Sequence, residues 1–409
     1  MNKVLGYILL AISILGCDTV SNIKPLGEDY FIKFYGSVGD QEGVAVKSTS
    51  DGGFIIGGNS TPEFGGQSDF FLLKVDAFGN QEWLETYDYN GTIENDLLTD
   101  VLVVDNGYII SGTSTIKNID KMVLMQIDGS GNLNKTLTID AQSNFSYQNN
   151  SVSVTSSGDL LVAGPIIGGD PAGIDPDDGQ YGKSFISVIN SDLEITSSTA
   201  YPQKGSVKGK ETVFVKGLEA LNSTTNQLDY VFFGYKNSSS VPFLNIYQFD
   251  SELGSGLAPE AINYNESKIV DVIKISETQY KLLSASENES YLIDAIETSF
   301  GYELKTDQSV KTKEDLFISA VSLSYTSTNQ FLIASNVKPA NSDITSSSIQ
   351  ESSVLGLANW LRVFGTDISY TSGGVIAMAD GSVVYTGTAG FKGQRKAFLI
   401  KLKSNGEMK

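Results

Sequence analysis

Apolar residues along this chain come in short bursts. Phe54-Ile55-Ile56, Phe70-Phe71-Leu72-Leu73, Tyr108-Ile109-Ile110 and Phe398-Leu399-Ile400 are typical, and Asp-Gly, Asn-Gly or Gly-Asn pairs separate them. Runs this short, rich in Val, Ile, Phe, Tyr and Thr and without a sustained 3.6-residue period, predict β-strands joined by tight turns. Asp-Gly and Asn-Gly suit hairpins because the central residues need positive φ.

The bursts repeat. Asp51-Gly52-Gly53-Phe54-Ile55-Ile56-Gly57-Gly58 leads to Asp69 through Asp76, then Gly79-Asn80, then Trp83 to Tyr87. Asp105 to Gly112, Ser157 to Gly164 and Asp380 to Gly387 begin similar units, with fainter copies ending at Gly234, Ala285 and Ser335. The block ends at 58, 112, 164, 234, 285, 335 and 387 are spaced by 54, 52, 70, 51, 50 and 52, so seven copies fit with one insertion. Each copy holds about four strands, and a small meander cannot bury both faces alone, so copies must pack on one another. Four strands at a repeat near 50 residues predict an all-β fold, a seven-bladed β-propeller of four-stranded antiparallel blades.

The termini supply a closing test. Trp360 to Gly365 aligns with Phe31 to Gly36 and with Trp83 to Asp88, the outer strand of a blade, and the last copy lacks such a strand after Asn405-Gly406. The N-terminal segment is therefore expected to complete the last blade and remove an exposed sheet edge. Phe31, Trp83 and Trp360 share one repeat position, which predicts packing between blades rather than ligand stacking.

Before the repeats, Met1-Asn2-Lys3 precedes an apolar run from Val4 to Gly16, too short to span a membrane as a helix, and Cys17 follows it directly. Residues 1–16 read as a signal peptide, 17–27 as a tether and 28–409 as the propeller. Ile14-Leu15-Gly16-Cys17 resembles a bacterial lipobox, and the Asp-Gly-Gly and Lys-Val-Asp-x-x-Gly-Asn repeats resemble those of Bacteroidota surface and secreted propellers. That resemblance implies acylation of Cys17, attachment to the outer membrane through the lipid, and exposure on the cell exterior.

Composition narrows the chemistry. The 409 residues contain no histidine and one cysteine, which excludes intramolecular disulfides, His-based triads and His metal sites. A formal charge of -20 opposes nucleic acid as a partner. What remains is a lipid-anchored binding or scaffolding protein for a surface glycan, a peptide or an outer-membrane complex, with a carboxylate-dependent glycan-active enzyme as the alternative.

With strands a to d running outward from the axis, the a-b and c-d turns are short and repeat, whereas the b-c and d-a connections vary. Recognition is expected on the variable face, with Tyr89, Tyr147, Tyr181 and Tyr370 as candidate ligand platforms. Asp170, Asp175, Asp177 and Asp178 lie in the insertion and read first as a solvated acidic loop that Lys204, Lys208 and Lys210 can neutralise, with Ca2+ ligation through the carboxylate oxygens as the alternative. Asp100, Glu211, Asp271 and Asp315 stand irregularly on or near inner strands, and the sequence leaves open whether any two converge. Glu42 and Asp96 each precede their block's last glycine by 16 residues (58 - 42 and 112 - 96), which suggests one repeated structural position.

Overall fold

Local chemistry closes the turns. Asp76 accepts the backbone N–H groups of Phe78 and Asn80 at 2.9 and 2.8 Å, and Gly79 makes the left-handed step between them at φ +71°. Asp128 does the same for Ser130 and Asn132, with Gly131 at φ +89°. The Asp-x-x-Gly-Asn part of the repeat is thus a self-capped hairpin.

The Asp-Gly-Gly and Lys-Val-Asp parts meet across the first sheet. Lys74 is 3 % exposed, and its ammonium sits 2.8 Å from Asp51 and 3.0 Å from Glu82 while donating to the Val75 carbonyl. Hydrogen bonds from Lys74 and from Thr49 hold the Asp51 carboxyl down at about 2. Burying a cation is tolerable only with such partners.

The computed structural model describes residues 29–408 except 37, 64–65, 90–94, 140–145, 150, 168–182, 202–211, 222–226, 237–242, 250–252, 254–259, 264–267, 287–288, 299–300, 311–316, 339–343, 366 and 392. Its strands form seven antiparallel sheets in chain order, blades 1 to 6 spanning Asp40–Tyr87, Asp96–Ile139, Ser146–Tyr201, Thr212–Asn263, Lys268–Ser309 and Phe317–Phe364. Blade 7 combines Tyr370–Ala377, Val383–Phe391 and Gln394–Leu402 with the N-terminal strand Phe31–Tyr35, which pairs from Phe31↔Lys401 to Tyr35↔Ala397. The chain is a seven-bladed β-propeller closed as its repeats require. Blade 3 departs in one detail: its inner strand is split into Ser146–Tyr147 and Ser151–Val154, both paired with Leu160–Ile167.

The core lies between blades. Ile55, Phe70 and Leu72 of blade 1 pack against Val101, Ile110, Val123 and Met125 of blade 2, and similar clusters recur around the ring. Each such fully buried side chain contributes about 1.5–3 kcal/mol. At the rim, Phe31, Trp83 and Trp360 each lie over the turn glycine of the following blade. A Cβ on Gly79, Gly131 or Gly406 would stand 2.6, 3.3 and 2.6 Å from those rings respectively. Tyr35 and Tyr87 donate to the carbonyls of the same Gly79 and Gly131 at 2.7 and 2.8 Å.

Candidate functional site

The channel is shaped by bulges. Pairing between strands a and b skips Val44, Thr99, Val215, Val270, Val321 and the Gly373-Gly374 pair, on six of the seven blades. The residues opposite, just before each skip, are Gly58, Gly112, Gly234, Ser284, Ser335 and Gly387. A bulge kinks the inner strand toward its partner, and a Cβ on Gly58 would stand 1.9 Å from the Glu42 carbonyl. This crowding explains why sequence blocks end on a small residue. In blade 5 that residue is Ser284, not Ala285, so the neighbouring spacings become 50 and 51 (284 - 234 and 335 - 284).

Inside the ring of bulges lies a cavity of about 500 Å³ lined by all seven inner strands, among them Lys47, Asp100, Lys216 and Asp271. Asp100 and Asp271 are not irregular: each immediately follows its bulge, on blades 2 and 5. Both acids are engaged. Asp100 accepts from the Val101 N–H at 2.8 Å and pairs with Lys47 of blade 1 at 2.9 Å. Asp271 accepts from the N–H groups of Val272 and, on blade 6, Leu323, both at 2.9 Å. Burial pushes the Asp271 carboxyl up, against the opposing pull of Lys216, the two N–H groups and Lys47. Ser151 and Ser322 occupy the corresponding places on blades 3 and 6 and accept from Gly217 and Val375 at 3.2 and 3.4 Å. This position is a fastener, linking neighbouring inner strands while facing the channel.

Glu42 and Asp96 do not share a position. Glu42 pairs with Asn59, one residue past Gly58, but Asp96 pairs with Ser114, two past Gly112, because the a-b turn of blade 2 is shorter. With a side-chain period of two, a one-residue offset puts them on opposite faces. Lys47 and Lys216, which sequence reasoning missed, become visible only once these turn lengths are known.

On the variable face, Tyr89 is half-buried and its hydroxyl shares a hydrogen bond with Thr138 at 2.5 Å. Tyr370 belongs to an aromatic group at the end of blade 7. Phe34 meets Phe391 edge-on at 4.9 Å and Tyr370 at 6.3 Å, and Phe398 backs the Tyr370 ring at 5.7 Å. Phe34 is 42 % exposed. The backbone of Tyr147 pairs with Ile166 in blade 3. Cys17, Tyr181, Asp170, Asp175, Asp177, Asp178, Glu211, Asp315 and the lysines 204, 208 and 210 lie outside the described residues.

No protein-family model and no curated relative matches the chain. Solved structures do match in fold. The Dos1 propeller superposes with a TM-score of 0.53 at 13 % identity, covering 92 % of this chain and 96 % of that one. A PL25 ulvan lyase, solved with -[GlcA(1-4)Rha3S]-, gives 0.52 at 8 % identity over the same shares. A further PL25 ulvan lyase structure gives 0.52 at 10 % identity over the same shares. At such identities the likeness establishes the propeller and leaves function to the residues.

Proposed function

We propose that the chain is a non-catalytic, lipid-anchored propeller that binds a surface glycan or peptide, as an accessory subunit of an outer-membrane complex. The lipobox at Cys17 supports the anchor. The observation that carries the binding reading is the aromatic group of Phe34, Tyr370 and Phe391 on the face with the variable connections, its Phe34 ring open to solvent. Partly exposed aromatic faces on a rigid scaffold suit the apolar faces of sugars and peptide side chains.

Titration of the full-length chain against outer-membrane glycans and peptides tests this. Phe34→Ala, an exposed change, is expected to weaken the binding found while leaving the melting temperature nearly unchanged. Equal affinity in Phe34→Ala and Phe391→Ala would remove the aromatic group from the reading.

Two observations favour the enzyme alternative. Asp100 and Asp271 line the same channel, and a polysaccharide lyase shares the fold. Their hydrogen bonds and the Lys47 pair speak for fastening instead. Polysaccharide turnover by the full chain, abolished in Asp271→Asn with the fold intact, would overturn the binding assignment.

A further inference from the structure

Where the ring closes, the inner strand of blade 1 meets the third strand of blade 7 with complementary charge. Arg395 donates to Asp40 from its backbone N–H at 2.8 Å and from Nε at 2.9 Å, and its Nη1 reaches Glu42. Burial works against the Asp40 charge, yet Arg395 and then Lys396 hold its carboxyl below the usual range.

At the junction of blades 1 and 2 the same place carries the opposite sign. Asp69 pairs with Ser60, two residues past Gly58, just as Lys396 pairs with Ala389, two past Gly387. It brings a carboxylate, not an ammonium, toward Asp96 at the start of the next inner strand and toward Asp88. One oxygen from each of the three acids lies within 4.8 Å of the others. Asp96 is 3 % exposed.

A separate group points the same way. Ser114 is fully buried directly opposite Asp96, on the same face of the sheet, and its Oγ completes no hydrogen bond of proper geometry. A buried hydroxyl left in that condition calls for a partner.

We propose that Asp69, Asp88 and Asp96, with the Ser114 hydroxyl behind them, bind a hard divalent cation of the Ca2+ class at the junction of blades 1 and 2. All the donors are oxygens, the preference of Ca2+ and Mg2+ rather than of zinc. The ion would do between blades 1 and 2 what Arg395 does between blades 7 and 1. The site is built from other residues than the aromatic group on the same variable face.

Thermal unfolding of the full-length chain in detergent, with chelator and then with millimolar Ca2+, tests the proposal. Ca2+ is expected to raise the midpoint by about 2–4 °C. The shift disappears in Asp96→Asn and in Asp69→Asn, whose residue is only half-buried and whose replacement leaves the core untouched. Asp69→Lys, which installs the base that the closing junction carries, is expected to raise the midpoint in chelator and to abolish the Ca2+ response. A wild-type midpoint unmoved by Ca2+, Mg2+ and Mn2+ would overturn the site. So would a Ca2+ shift that survives in both Asp69 variants, since the ion would then be bound elsewhere.

Discussion

Gly112 sits where the inner strand presses hardest on its neighbour: a methyl there would stand 2.6 Å from the Leu97 carbonyl and 2.5 Å from the Phe70 ring. Gly112→Ala therefore has to displace either the bulge or a fully buried aromatic. A loss of about 1–3 kcal/mol is expected, read as a lower urea midpoint. A second expectation concerns Asp51, whose carboxyl is held at about 2 against 3.8 unperturbed. A lowered acid stabilises the fold above its unfolded value, and that stability is lost as pH falls from about 4 to about 2. Asp51 is more than half exposed, so solvent screening leaves about 1 kcal/mol. Asp51→Asn should cost that much at pH 7 and nothing near pH 2, measured by denaturant titration at both. These residues were legible in sequence because Asp51 and Lys74 belong to one repeat unit. Asp100, Asp271 and Asp96 were not, because their places depend on turns whose lengths differ between blades, and one residue reverses the face.

Strands repeat the lesson with longer reach. The outer strand of blade 7 was readable from its likeness to Trp83–Tyr87 and from the missing partner after Gly406. Pairing places Phe31, 4 % exposed, on the Gly79 turn of blade 1. Phe31→Ala opens that contact in the strand that closes the ring, and a loss of about 3–5 kcal/mol is expected in equilibrium unfolding. A loss below about 1 kcal/mol would mean that the ring holds without it. The middle blades were harder to read for a physical reason. Leu193 and Leu253, both 2 % exposed, occupy positive-φ positions in the middle blades, Leu193 at the turn place where other blades have glycine, with φ of 53° and 58°. A left-handed leucine costs about 1–2 kcal/mol, and burying its side chain contributes about 1.5–3 kcal/mol. The turn survives while the motif vanishes. The split inner strand of blade 3 left no sequence trace, since its two pieces share one partner strand.

At the scale of the molecule, the N-terminal strand decides which face can meet a membrane. Phe31 pairs with Lys401, near the turn that follows Leu402, and Tyr35 pairs with Ala397, near the variable connection. The chain therefore enters that strand from the face of short repeating turns and runs toward the variable face. If the lipid is on Cys17, as proposed, the ring is joined to its anchor on the short-turn side, at Phe31, and the variable face with Phe34, Tyr370 and Phe391 is expected to point away from the bilayer. Cys17 is the only cysteine, so an introduced thiol reports one place. Glu63→Cys lies on a variable connection and Ser130→Cys on a short turn, both exposed. For the acylated full-length chain in lipid vesicles, a bulky maleimide is expected to label Glu63→Cys several-fold faster than Ser130→Cys. The difference should vanish when Cys17→Ser removes the anchor. Faster labelling of Ser130→Cys on vesicles would turn the disc over and place the aromatic group against the membrane. The ring would then be a lid on the bilayer, and a soluble glycan could not reach the face assigned to it.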